Sequence, residues 1–261
     1  FHSNKKEAVN MEKITSRANP LLVRMKKLAA SAAYRREQGV YLCDSPKLLA
    51  EALKWHAPVR EIAVTVGTAL PPIPEGIRAV EVPEDVMASI SPMKSPQGAL
   101  FTVALTSGEV PATLPGSRYM VLDGVQDPGN VGTILRTLDA FDFDGLLLLE
   151  GCADPWSVKT VRSSMGAVFR RPVWCMKAEE LPGLLARSGL PLYGTALRED
   201  TVDVRDVSLD RCAIVIGSEG QGIRNTVLAM CQKTIKIPMT DRCESLNASI
   251  AAAVLLWESY R

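Results

Sequence analysis

Short continuous apolar runs, punctuated by glycine and proline, alternate along this chain with longer segments of helical spacing. From Ile14 to Leu28 the apolar residues fall at helical intervals behind Asn19 and Pro20, a cap and first-turn pair. Val40–Cys43 then reads as a strand, Ser45 and Pro46 as cap and first turn, and Lys47–Trp55 as a helix with Leu48, Leu49, Ala52 and Leu53 on one side. Strands Ile62–Val66 and Val80–Val82, a helix over Pro83–Ser89 and a strand over Ala99–Thr106 complete a small α/β unit. The strand and helix alternation implies a parallel or mixed sheet. Residues 107–117 lose all periodicity and carry Gly108, Pro111, Pro115 and Gly116, the pattern of a linker. The expected division is a domain over 1–106, the linker over 107–117 and a second domain over 118–261.

The second domain alternates again. Strands are expected at Met120–Leu122, Leu146–Leu149, Leu192–Thr195, Ala213–Ile216 and Thr234–Ile237, with helices near Val131–Phe141, Ser157–Ser164 and Arg224–Met230. These strands are uninterrupted apolar runs, as in a parallel sheet covered on both faces. The last helix, ending near Trp257, is apolar all round and is expected to be buried. It opens with Glu244, Ser245 and Asn247. Polar groups at the mouth of a core helix either cap its free N–H groups or face a ligand. Two more strand ends carry polar turns: the stretch 121–136, with Asp127, Asn130 and Arg136, and the stretch 214–223, with the run Gly217-Ser-Glu-Gly-Gln-Gly222. In open parallel sheets, ligands bind outside the carboxyl ends of the strands, where all three turns fall.

Composition narrows the chemistry. A 261-residue chain with 47% hydrophobic residues can bury two cores, and a formal net charge of only +1 gives no global field for nucleic acid. Local basic faces remain: Arg24, Lys26, Lys27, Arg35 and Arg36 near the start, and Lys159, Arg162, Arg170 and Arg171 later. Each is either a solvated face or a phosphate contact. Six cysteines without C-x-x-C spacing read as reduced thiols of a cytoplasmic protein and not as a zinc site, and no metal is expected. No run approaches a membrane span, and no charged-then-apolar leader precedes Met11. Gly217, Gly220 and Gly222 give G-x-x-G-x-G, which does not match the dinucleotide-binding turn, and His2 and His56 show no partner spacing.

Asn130 with Gly132 and Arg136, then Gly217-Ser-Glu-Gly-Gln-Gly222, then Ile237-Pro-Met with Ser245-Leu-Asn247, resemble in order and distance the three motifs of the SpoU/TrmH-type RNA ribose 2′-O-methyltransferases of the SPOUT class. The resemblance is strong from Tyr119 to the end. It implies a C-terminal parallel-sheet domain with a deep trefoil knot, S-adenosyl-L-methionine as methyl donor, structured RNA (ribosomal RNA or tRNA, ribosomal preferred) as substrate, and a homodimer through the C-terminal domain. The N-terminal unit resembles the ribosomal-protein-like substrate-binding domain of such enzymes. It departs from them at Cys43-Asp44-Ser45, where an acidic residue followed by glycine is more usual.

By the same resemblance, backbone near Gly217, Ile237 and Leu246 reads the cofactor, with Thr195 as their neighbour. Asn130, Arg136, Glu219, Ser245 and Asn247 form the catalytic set. A guanidinium at position 136 suits a bidentate clamp on the phosphate beside the reacting ribose, since its pKa (roughly 12 or above) opposes a role as base. Arg24, Lys27, Arg35, Arg36 and Arg162 are the candidate RNA contacts. Two other readings stay open on sequence: a non-catalytic RNA-binding module that keeps the fold, and a structural dimerisation protein.

Overall fold

A computed structural model describes residues 11–106 and 109–261. The chain divides into two compact units between Ala104 and Leu105.

The first unit runs β1 (Glu12–Lys13), α1 (Pro20–Ala30), α2 (Ala32–Gln38), β2 (Val40–Asp44), α3 (Pro46–Lys54), β3 (Val59–Thr65), β4 (Arg78–Val82), α4 (Glu84–Ile90) and β5 (Ala99–Ala104). Its sheet, ordered β1-β4-β3-β5-β2, is mixed, with β2 and β3 each antiparallel to β5. Asn19 caps α1 by accepting from the Leu21 amide at 3.0 Å, and Ser45 caps α3 by accepting from the Leu48 amide at 3.2 Å. Ser45 sits at φ 84, in the left-handed region that favours glycine. The turn therefore keeps a glycine-type backbone while carrying a capping hydroxyl.

Two of the expected RNA contacts are structural instead. Arg35 is buried, 4% exposed, and donates to the Leu28 carbonyl at 2.5 Å, where it satisfies a carbonyl left open at the end of α1. Arg24 is half-buried and paired with Glu61, which also accepts from the Thr102 hydroxyl at 2.6 Å. Lys27 and Arg36 remain exposed, Lys27 lying 5.8 Å from the Tyr34 ring centroid.

The second unit runs β6 (Arg118–Asp123), α5 (Pro128–Ala140), β7 (Gly145–Leu149), α6 (Val158–Ser163), β8 (Val173–Met176), α7 (Leu181–Ser188), β9 (Leu192–Thr195), β10 (Val202–Asp203), β11 (Cys212–Gly217), α8 (Asn225–Leu228), β12 (Lys233–Lys236) and α9 (Ala248–Tyr260). Seven strands form one parallel sheet, ordered β10-β12-β9-β11-β6-β7-β8. The sequence reading lacks β8 and α7. Edge strand β8 is a four-residue apolar run between Pro172 and Lys177, with Cys175 exposed between its buried ends Val173 and Met176. Pro182 and Gly183 look like breakers but stand in the first turn of α7, where a missing N–H costs nothing.

The stretch expected to be a linker packs on this second unit. Leu114 is buried and its amide donates to the Ser188 hydroxyl at 2.9 Å, the Arg187 Nε donates to the Ala112 carbonyl at 2.8 Å, and the Tyr119 hydroxyl donates to the Pro115 carbonyl. Helix α9 is not buried all round. It packs on α5 through one side, burying Ala252, Leu255 and Leu256, and leaves Ile250, Val254, Trp257 and Tyr260 exposed.

Candidate functional site

Strands β6, β11 and β12 end in the three polar turns, on the same side of the sheet because all are parallel. The register pairs Gly217 at the end of β11 with Asp123 at the end of β6, so the first two turns leave the sheet side by side. Asp127 starts α5 by accepting from the Asn130 amide at 3.0 Å. That amide, with the Gly129 amide and the Lys159 ammonium, outweighs desolvation and holds the Asp127 carboxyl below the usual carboxylate range. Gly132 lets α5 lie flat on α6: a Cβ there would meet the Thr160 carbonyl oxygen at 2.4 Å.

The three turns are joined by side chains. Glu219 Oε1 accepts from Asn130 Nδ2 at 3.1 Å, from Asn247 Nδ2, and from the Ala248 amide at 3.3 Å. Asn247 Nδ2 also lies 3.3 Å from Asn130 Oδ1. The other end of Asn247 caps α9, its Oδ1 accepting from the Ser249 amide at 2.9 Å, the Ser249 hydroxyl at 2.6 Å and the Ile250 amide at 3.3 Å. One end of the Asn247 amide thus caps the helix while the other joins the Glu219 network. Among the described residues, Glu219 Oε2 has no hydrogen-bond partner.

Two clefts meet at Glu219. The smaller, about 230 Å³, holds Thr195, Gly217, Ile237 and Leu246, the four expected cofactor positions, together with Ser245. Its rim carries Leu197, 78% exposed, and Met239, 43% exposed. Apolar surface of this kind, over glycine backbone, fits the adenosyl and thioether parts of S-adenosylmethionine. Gly217 is also required by its own loop. A Cβ there would lie 2.0 Å from the Gly222 carbonyl carbon and 2.2 Å from the Ile223 nitrogen, so the glycine lets its own loop close, with the Gly222 amide donating to the Ser218 carbonyl at 2.8 Å.

The larger cleft, about 680 Å³, lies between the Gly124–Asp127 turn and the Ser218–Gly222 loop. Behind it is an ion-pair chain that the sequence reading missed. Asp123, fully buried, accepts from the Arg224 amide at 2.8 Å and from Arg224 Nε at 2.7 Å, and Arg224 Nη1 donates to Glu150 Oε1 at 2.9 Å. Both carboxylates hold the Arg224 guanidinium firmly in its charged form. Burial pushes Glu150 up, but Arg224 and the Ala178 amide outweigh it and its carboxyl stays below the ordinary range. The available signal was an acidic residue ending a buried strand in Val-Leu-Asp-Gly, which has no apolar reason to be there.

Arg136 is exposed on α5, lines neither cleft and pairs with none of the described carboxylates. Ser245 faces the smaller cleft without joining the Glu219 network. Arg162 is half-buried on α6. Arg170 and Arg171 hold Asp139 at 2.7 and 2.8 Å and so brace the end of α5.

A parallel sheet that gathers three polar turns at its carboxyl end, beside an apolar cleft suited to a nucleoside, is the arrangement of an α/β group-transfer enzyme. The family model described as "SpoU rRNA Methylase family" matches residues 117–257, and the "MRM3-like substrate binding domain" model matches residues 19–100. The chain belongs to the SpoU rRNA methylase family. It is 32% identical over 248 residues to the 23S rRNA (guanosine(2553)-2′-O)-methyltransferase RlmP of Bacillus subtilis, covering 95% of this chain and 98% of that one. Among solved structures it is similar to the AdoMet-bound rRNA methyltransferase of Sinorhizobium meliloti, at 26% identity, TM-score 0.83 and coverage of 95% and 97%. It is also similar to the SpoU methyltransferase AviRb of Streptomyces viridochromogenes in complex with AdoMet, at 25% identity, TM-score 0.81 and coverage of 93% and 97%. The protein is accordingly an RNA ribose 2′-O-methyltransferase whose donor is S-adenosylmethionine.

Proposed function

We propose that the substrate is ribosomal RNA and that the reacting ribose is held against Glu219, where the two clefts meet. The observation that carries this reading is the division of labour within one carboxylate. Oε1 is held by three donors from two other turns, which leaves Oε2 to accept a hydrogen bond from a 2′-hydroxyl and orient it. Bound S-adenosylmethionine supplies an electrophilic methyl carbon on a positive sulfur. Thr195, Ile237, Leu246 and the Gly217 loop would hold it and exclude water, while Asn130 and Asn247 keep Glu219 in place. Ser245 supports the donor side of the junction.

Arg136 clamps the phosphate beside the ribose, as a planar two-pronged donor suits. Since it lines neither cleft of its own chain, a twofold partner meeting along α5 and α9 would bring it to a reacting ribose. The exposed face of Ile250, Val254, Trp257 and Tyr260, with Phe141 5.7 Å from Trp257, supports such a homodimer. Lys27 and Arg36 of the first unit remain as RNA contacts. The strand order, in which the chain goes out to β10 and returns to insert β11 and then β12 beside β9, supports the deep trefoil knot. Six free thiols suit a reducing cytoplasm, and among the described residues no helix is long and apolar enough to cross a membrane.

Incubation of the protein and labelled S-adenosylmethionine with ribosomal RNA and tRNA from cells lacking it tests this reading. The expected result is label in a ribose 2′-O-methyl group of ribosomal RNA, lost in Glu219→Gln while donor binding persists. Label in tRNA alone would refute the substrate, and full turnover by Glu219→Gln would refute the site.

A further inference from the structure

The larger cleft holds none of Thr195, Gly217, Ile237 and Leu246, yet it shares Ser218, Glu219 and Gly222 with the smaller cleft proposed for the donor. A ribose held at Glu219 would carry its base into this space. The lining disfavours phosphate: four acidic residues, Asp123, Asp127, Glu150 and Glu219, line it against the single guanidinium of Arg224, which Asp123 and Glu150 already pair. An uncharged planar group extruded from its stack is the occupant that fits.

Which base it fits follows from counting donors and acceptors on Glu150 and Arg224. Of the five N–H bonds of a guanidinium, Arg224 commits Nε to Asp123. Its Nη2 lies 2.7 Å from the same carboxylate and is fully buried. Nη1 gives one N–H to Glu150, which leaves one more to give. Glu150 is half-exposed; Oε1 accepts from Arg224 and Oε2 from the Ala178 amide at 2.8 Å, and each oxygen can accept again. The pair therefore presents one donor beside two acceptor positions. Guanine offers the complement on its pairing edge, the O6 acceptor beside the N1–H and N2–H donors. Cytosine would require two donors beside one acceptor, adenine presents a single pairing-edge donor beside an acceptor, and uracil sets its one donor between two acceptors.

We propose that this cleft takes the target nucleoside's base, that the base is guanine, and that Glu150 is the specificity-determining residue, accepting from N1–H and N2–H while Arg224 Nη1 donates to O6. This rests on the reading that the reacting ribose lies at Glu219. The ion pair with Arg224 and the Ala178 amide fix the Glu150 carboxylate before the RNA arrives, so its selectivity costs little ordering.

The test has two arms on the full-length protein. In the first, guanosine, inosine, adenosine, cytidine and uridine are titrated by saturation-transfer NMR with S-adenosylhomocysteine present. Guanosine should bind best, inosine, which lacks the N2 amine, more weakly, and the other three at least about tenfold more weakly. Glu150→Gln should erase that ranking while its S-adenosylhomocysteine affinity and unfolding midpoint show a folded donor site. Equal binding of the nucleosides, or a ranking unchanged in Glu150→Gln, would overturn the proposal. The second arm sequences the methylated RNA position: a guanosine supports the assignment and any other nucleotide overturns it. Guanosine selectivity without methyl transfer to ribosomal RNA would defeat the substrate reading alone, and transfer at another nucleotide would defeat the cleft assignment alone.

Discussion

Asn247 donates its side-chain amide to Glu219 while its carbonyl caps helix α9. One side chain therefore sets both where the last helix begins and where the central carboxylate points. Asn247→Asp separates the two functions, because aspartate caps as well as asparagine but would set a second negative charge against Glu219. The variant is expected to keep most of its thermal stability and lose at least about tenfold in methyl transfer. Asn247→Ala loses the cap as well and should cost about 1 kcal/mol. Thermal unfolding beside single-turnover methylation checks both, and a wild-type rate in Asn247→Asp would count against the network.

Gly217 and Gly220 stand three residues apart in one loop with opposite requirements. A Cβ at 217 would meet backbone at 2.0 Å, whereas one at 220 meets nothing within 4 Å. Gly217→Ala should force the loop open at a cost of about 1–3 kcal/mol and abolish donor binding, while Gly220→Ala leaves both nearly unchanged. Calorimetric titration of S-adenosylmethionine into the two variants decides the matter.

Arg136→Ala is expected to bind donor normally and lose methyl transfer, since the residue lies outside the donor cleft. Arg136→Lys should be rescued only weakly, an ammonium being unable to form the planar two-pronged contact. Donor affinity and transfer rate measured on the same preparations distinguish this from a general loss of fold.

Arg224→Ala would leave Asp123 as a buried carboxylate without its counter-charge, and a loss of about 3 kcal/mol is expected. The pH dependence follows from Glu150, whose folded-state pKa is lowered. Its stabilising contribution is complete above the ordinary glutamate value and is lost as pH falls through the folded one. Glu150→Gln should therefore flatten the acid side of the unfolding midpoint, in the pH range below the ordinary glutamate value. An unchanged acid limb would mean the carboxylate is not held as described.

Trp257→Glu places a charge in the exposed apolar face of α9. If that face joins two copies, the full-length variant should sediment as a monomer where the wild type is a dimer. A wild type that is already monomeric at micromolar concentration would remove the interface.

What the chain's pattern settled by itself was local. Short continuous apolar runs bounded by turn residues suit strands covered on both faces, so the parallel sheet, its main helices and the three polar turns were legible in order, as were the caps Asn19 and Ser45. Edge strand β8 and helix α7 were not, because β8 is only four residues set directly behind Pro172 and a proline in a first turn looks like a break. Tertiary structure alone decided which polar residues meet. Asn130, Glu219 and Asn247 are far apart in sequence and touch because strand order carries their turns to one end of the sheet. The same packing buried Arg35 and tied the half-buried Arg24 to Glu61. It also joined Asp123 to Arg224 and Glu150, and left one side of α9 uncovered. Charge and apolarity are written in the residues, but whether a charge finds a partner or an apolar face a neighbour depends on distances that no spacing along the chain contains.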